Sequence, residues 1–186
     1  MDWSINCRIT IKNKLTTTLT QFTKENFYTE QINELTLAEA FKIHYEINPQ
    51  FTPWYNCKSE ILQKMMRSHN ISHIIYGCNT SLLGEMQVQF WNQFGSFVPK
   101  TWADIKKAFA DKETRQIITP TGLIPFFLTH ISEIFRVKKQ TKLMTKKWVF
   151  FDEEKYMNII VGEIRSEYNI KILNPESNPE LSIATK

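Results

Sequence analysis

An alternating run of apolar and polar residues near the start of the chain constrains the fold most. Polar residues fill every second position from residue 4 to residue 12, and the apolar residues between them are Trp3, Ile5, Cys7, Ile9 and Ile11. Successive side chains of a β-strand point to opposite faces, so this period of two predicts a half-buried strand over residues 3–12. The chain is therefore expected to contain a β-sheet.

Two helices are predicted from start and stop signals. Thr36 and Glu39 have the spacing of a capping box, and the Asn48–Pro49 pair predicts the end of that helix. A second helix is expected to begin near Ser59. Thr101 and Asp104 predict a short third helix, and Asp152 a fourth that reaches Tyr168.

The remaining apolar stretches mostly favour strands. Residues 71–77 and 84–91 are predicted to pair as a hairpin. Residues 115–125 are predicted as strand, turn and strand, and residues 147–151 and 169–173 as single strands. Residues 126–137 fit either a helix or a strand. Together these patterns predict an α+β fold: a single compact domain over residues 1–173, mostly antiparallel sheet with three to four packed helices, and a disordered tail over 174–186.

Composition indicates an ordinary folded protein. Hydrophobic residues make up 42% of the 186 residues and aromatic residues 13%. Three cysteines without paired spacing are typical of a reducing compartment, and neither a signal peptide nor a membrane span is predicted, so secretion is not expected.

No catalytic signature is present. The nucleophile elbow, the P-loop and the dinucleotide fingerprint are all absent, so we expect a non-enzymatic protein without a cofactor. His69 and His73 have a spacing that binds zinc when both lie on one helix. The predicted boundary between a helix and a strand falls between them, so no metal site is expected. Glu85 on a predicted strand leaves a divergent nuclease as a weaker alternative.

The strongest local charge lies between residues 136 and 148, where six basic side chains occur without an acidic one. These charges either only keep the chain soluble or bind an anionic partner. The predicted binding residues are Arg136, Lys138, Lys139, Lys142, Lys146 and Lys147.

Two aromatic segments are predicted to be adhesive. Residues 94–98 fall between a predicted strand and a predicted helix, so Phe94, Gly95, Phe97 and Val98 are expected in a loop that serves self-association or membrane contact, or folds back over the core. The same alternatives apply to a turn that contains Phe51, Trp54 and Tyr55.

The order of these elements resembles the matrix proteins of rhabdoviruses, particularly the short ones of plant-infecting, cytoplasm-replicating members. The stretches "WSINCRITIKNK", "LTLAEAFKIHYEI", "EILQKMMRS" and "FFDEEKYMNIIVGEIRSEYNIKIL" are similar to that family's first strand, two helical segments, and late helix with terminal strand. The likeness spans most of residues 3–173 and is one of pattern and order.

This resemblance implies a structural protein of virion assembly. Such a protein self-associates as a homo-oligomer and bridges the nucleocapsid, a ribonucleoprotein, to the anionic inner face of a membrane, in the host cytoplasm and in the virion. The chain lacks the family's Lys-rich N-terminal arm, so residues 136–147 are the expected contact. The alternative is a small accessory or immunity-type module with a single protein partner.

Overall fold

The described part of the chain is mostly helical. A computed structural model describes residues 27–57, 59–97 and 130–173. Five α-helices lie in these ranges: α1 Leu37–Ile47, α2 Glu60–Tyr76, α3 Leu82–Gly95, α4 Ile131–Thr141 and α5 Val161–Tyr168. Three short 3₁₀ helices accompany them, at Glu30–Glu34, Trp54–Asn56 and Glu153–Tyr156.

The prediction of a mostly antiparallel sheet is wrong. Within the described ranges, the sheet consists of two short parallel strands, β1 Ser96–Phe97 and β2 Trp148–Val149. The strand predicted over 3–12, the elements predicted over 101–125 and the tail over 174–186 lie outside the described residues.

Helix α1 confirms the predicted capping box. The Glu39 amide donates to the Thr36 hydroxyl (3.3 Å), and the Thr36 amide donates to a Glu39 carboxylate oxygen (2.9 Å). The helix ends at Ile47 with Asn48 as its C-cap, where the Asn48–Pro49 pair predicts it. Thr36 also bridges to Ile160, so the first turn of α1 is tied to the start of α5.

Helix α2 begins after Ser59 as predicted, but it continues through the residues predicted to form a strand. Ile71, Ile74 and Ile75 are fully buried on it. A fully buried helix and a buried strand give the same apolar run, and the β-branched content of this run misled the prediction because burial overrides propensity. Gly77 ends the helix with φ +69°, a conformation that favours glycine.

Helix α3 replaces the second strand of the predicted hairpin. The Ser81 hydroxyl caps it by accepting from the Gly84 amide (3.2 Å). Its buried stripe runs at helical spacing through Gly84, Val88, Trp91 and Gly95. The alternation that predicted a strand over 84–91 was therefore coincidental.

The C-terminal predictions are partly confirmed. Residues 131–137 are helical, and β2 lies within the strand predicted over 147–151. The helix predicted from Asp152 to Tyr168 is interrupted, because Ile160 adopts an extended conformation where it pairs with Thr36. Residues 169–173 form no strand, and Asn169 is left-handed (φ 51°).

Arg165 connects α5 to the core. It is 4% exposed, and its guanidinium donates to the carbonyls of Tyr28, Thr29, Ile74 and Ile75 at 2.6–3.1 Å and to the Asn33 side chain at 2.7 Å. Ile74 and Ile75 belong to the last turn of α2, whose carbonyls lack helical partners and carry the negative end of the helix dipole. Arg165 thus satisfies this helix end and fixes α5 against it.

Candidate functional site

The six predicted basic residues lie at the end of α4 and in the segment that follows it. Arg136, Lys138 and Lys139 are in α4, Lys142 is its C-cap, and Lys146 and Lys147 precede β2. Positive charge at a helix C-terminus interacts favourably with the helix dipole, which makes this end of α4 a suitable place for lysines.

Two of the six bases have carboxylate partners. Arg136 donates to the buried Glu133 carboxylate (2.6 Å), and Lys146 pairs with Glu167 and lies over the Tyr168 ring at 4.6 Å. Lys138, Lys139, Lys142 and Lys147 are exposed and have no ion pair within the described ranges. The charge available to a partner is therefore that of these four lysines.

One face of α4 combines apolar and basic groups. Ile131 is 50% exposed and Phe135 is 63% exposed, and three exposed lysines follow them on the same helical face. The spacing of i, i+4, i+7, i+8 and i+11 places them along one stripe. We call this stripe the α4 surface; its members are Ile131, Phe135, Lys138, Lys139 and Lys142.

The opposite face of α4 packs on α3 and holds the α4 surface in place. Val137 is fully buried there. The Glu133 carboxylate, 1% exposed, accepts from the Gln87 side chain of α3 at 2.9 Å. At Gly95 the helix approaches so closely that an added Cβ would lie 3.1 Å from both Met144 and Thr141. The α4 surface is thus carried on a well-anchored helix.

The structure separates the members of the predicted 94–98 loop. The loop prediction is wrong for Phe94 and Gly95, which form the end of α3: Gly95 is buried, and Phe94 is half-buried and stacked on Phe90 with ring centroids 6.0 Å apart. Phe97 lies on β1 and is 58% exposed. Val98 lies outside the described residues. Phe97 is therefore the one described member that a partner could contact extensively.

The predicted adhesive turn mostly faces the protein. Phe51 is half-buried with its ring 5.9 Å from that of His44, and Trp54 is half-buried with the Arg67 guanidinium over it at 5.5 Å. Tyr55, by contrast, is 62% exposed.

A cluster of two histidines and a carboxylate lies where α2 meets α3. His69 and His73 are one turn apart on α2, and Glu85 comes from the first turn of α3. The two Nε2 atoms are 3.2 Å apart, and the Glu85 oxygens lie 3.0 Å from His69 Nε2 and 3.2 Å from His73 Nε2. The helix boundary predicted between the two histidines is wrong, and with it the geometric reason for expecting no metal there.

Burial and hydrogen bonding set the electrostatics of this cluster. Burial lowers the pKa of His69, and the hydrogen bond to Glu85 offsets only part of that effect. Burial opposes ionisation of Glu85, but its hydrogen bonds with His69 and His73 outweigh burial and lower its pKa below the usual range. Glu85 is thus an ionised carboxylate that two imidazole nitrogens face.

A polar network adjoins the cluster on its buried side. His44 is fully buried, its Nδ1 is 2.8 Å from the Tyr28 hydroxyl, and Asn48 donates to that hydroxyl at 2.8 Å. Burial and the neighbouring His73 and His69 lower the pKa of His44 to about 3. His44 Nε2 has no hydrogen-bond partner in the described structure, and the ring lies 6.0 Å from that of His73.

Comparison with known proteins found no match: no family model, no curated protein and no solved structure matches the chain. None of the helices in the described ranges combines the length and the hydrophobicity needed to cross a bilayer.

Proposed function

We propose that this protein is a non-enzymatic, matrix-like assembly protein that binds an anionic membrane face through the α4 surface. The observation that carries the proposal is the combination of exposed Phe135 and Ile131 with exposed lysines on one helical face. Helices that lie at membrane interfaces place apolar groups at the acyl boundary and lysines at the headgroups. A face that only solubilised the chain would not need the two apolar side chains.

Electrostatic attraction is large enough to matter. A lysine close to an anionic membrane contributes about 1 kcal/mol, so the three lysines of the α4 surface together contribute about 3 kcal/mol at low salt. That energy corresponds to roughly a hundredfold in affinity. It decays within a Debye length of about 8 Å at physiological ionic strength, so binding should be sensitive to salt.

The test compares two variants with the same change in net charge. Replacing Lys138, Lys139 and Lys142 with Gln should abolish sedimentation with phosphatidylserine vesicles. The matched control replaces Lys42, Lys64 and Lys171, which are also exposed, and should retain binding. Both should unfold near the wild-type temperature, because surface substitutions change stability by less than about 0.5 kcal/mol. Equal loss in both variants would reduce the effect to net charge and contradict the proposal.

Self-association and nucleocapsid binding form the second half of the assembly role. We assign Phe97 to the contact between copies because its side chain is largely exposed on β1. Phe97→Ser should lower the sedimentation coefficient at high protein concentration without unfolding the domain. The accessory-module alternative would instead be supported if the wild-type protein stays monomeric, binds neither vesicles nor RNA, and binds one protein tightly.

A further inference from the structure

We propose that His69, His73 and Glu85 form a binding site for a divalent transition-metal ion of the Zn²⁺ class. This inference is independent of the α4 surface, since its residues lie on α2 and α3. All three side chains offer ligand atoms that lie within 4.8 Å of one another. The closest approaches between them are 3.0–3.2 Å.

These separations are those of a coordination sphere. Zinc is bound by imidazole nitrogen and carboxylate oxygen at about 2.0–2.1 Å, and tetrahedral geometry then places neighbouring donor atoms about 3.3 Å apart. The two Nε2 atoms and the Glu85 oxygens approach this spacing while converging from two helices. Two imidazoles and one carboxylate, without a thiolate, are a donor set that suits Zn²⁺ and related first-row ions.

The hydrogen bond of His73 Nδ1 decides which of its nitrogens faces the centre of the cluster. His73 Nδ1 is 3.0 Å from the Cys78 carbonyl, which can only accept, so Nδ1 carries a proton. Nε2 is therefore the nitrogen of His73 that faces a Glu85 oxygen and His69 Nε2. An ion that binds there takes the place of the protons that Nε2 of each histidine donates toward Glu85, because metal ligands must be deprotonated.

The bond from His73 to Cys78 is also the support that metal-binding histidines require. A ligating imidazole almost always donates its other N–H to a carbonyl or a carboxylate, which fixes the tautomer and the ring orientation. Gly77 makes this possible because its left-handed conformation turns the chain back at the end of α2, where the Cys78 amide also donates to the His73 carbonyl (3.0 Å).

The exposure of the three ligands leaves a coordination position for water. His73 is 1% exposed and fixed, whereas the side chains of His69 and Glu85 are 18% and 36% exposed. The ion can therefore reach the cluster from solvent and keep a water molecule as its fourth ligand. Bound there, it would cross-link α2 to α3.

The experiment titrates Zn²⁺ into the full, untagged chain after chelator treatment, with a competing fluorescent chelator as the readout. We expect one ion per chain with a dissociation constant below about 1 µM, and no comparable binding of Mg²⁺, which prefers oxygen ligands. Co²⁺ should give the visible absorption of a four-coordinate nitrogen and oxygen site. Absence of stoichiometric Zn²⁺ binding to the folded wild-type chain would overturn the proposal.

Two variants and one control locate the site. Glu85→Gln keeps the shape of the side chain but removes its charge, and His69→Gln removes a nitrogen ligand at the solvent side. Each removes or neutralises a direct ligand and should weaken Zn²⁺ binding by more than about tenfold, the lower end for mutating a group that only supports a ligand. His130→Gln alters a histidine outside the cluster and should leave binding unchanged. If both variants remain folded by circular dichroism and bind Zn²⁺ as tightly as the control, the ion is bound elsewhere and the assignment is wrong.

Discussion

Replacing Arg165 with Met should destabilise the protein strongly. The change removes five hydrogen bonds. It leaves the buried carbonyls of Tyr28, Ile74 and Ile75 and the part-buried carbonyl of Thr29 without this donor. A buried acceptor deprived of its partner costs about 1–3 kcal/mol. Methionine fills much of the same volume, so the loss comes mainly from the hydrogen bonds.

The magnitude follows from two opposing effects. Burial lowers the pKa of Arg165 to about 10, so keeping the guanidinium charged inside the protein costs about 3 kcal/mol at about 1.4 kcal/mol per pH unit. Four carbonyls at about 2 kcal/mol each exceed this cost, so the net loss should be about 5 kcal/mol. That is a large part of the 5–15 kcal/mol typical of a folded protein.

The assay is urea unfolding followed by tryptophan fluorescence, because Trp91 and Trp148 are fully buried. Arg67→Met is the control: Arg67 pairs with the exposed Glu154 and should cost about 1 kcal/mol or less. Arg165→Lys separates charge from geometry, since lysine cannot reach all five acceptors. A free energy of unfolding for Arg165→Met within about 1 kcal/mol of the wild type would refute the reasoning.

Three further substitutions or reactions test local features of the fold. Thr36→Ala removes the capping box of α1 and should cost about 1 kcal/mol in the free energy of unfolding, measured by urea titration; no change would mean that the cap is unimportant. Gly77→Ala places a Cβ 2.8 Å from Ile172 at φ +69°. It should lower the free energy of unfolding by at least about 1 kcal/mol, which a lower melting temperature would reveal. The Cys78 thiol is 2% exposed and burial raises its pKa, so iodoacetamide should label it only after unfolding. Mass spectrometry of the labelled peptide checks this, and rapid labelling in native buffer would contradict the burial of the thiol.

Sequence patterns predicted the helix ends better than the helix interiors. The Thr36 cap, the stop at Asn48–Pro49 and the start after Ser59 were confirmed, because they depend on local hydrogen bonds and backbone conformation. The interior of α2 was mistaken for a strand because its isoleucines are buried on several sides, so no polar face marked the helical period. Alternation in α3 misled the prediction for the opposite reason: Gln87 is polar but buried against Glu133.

The functional features could be predicted from the sequence only as far as they did not depend on tertiary contacts. The basic run was visible in the sequence, but the pair of Lys146 with Glu167 was not, since Glu167 lies on α5. The pair of Arg136 with Glu133 is local, three residues apart, and required only that this segment be helical. The His-x₃-His spacing was also visible, yet its meaning required α2 to continue through both histidines and Glu85 to approach from α3. For Arg165 the sequence held a local signal that the prediction missed. Arg165 shares a helical face with Val161, Ile164 and Tyr168, and a charged residue on such an apolar face is rarely buried unless it has partners.

The most direct test of the assembly proposal is co-sedimentation of the wild-type chain with vesicles across a salt series. We expect the protein to pellet with phosphatidylserine vesicles at low salt, to dissociate progressively as salt screens the α4 surface, and to ignore neutral phosphatidylcholine vesicles at every salt concentration. Binding to neither vesicle at low salt, or equal binding to both, would contradict the account.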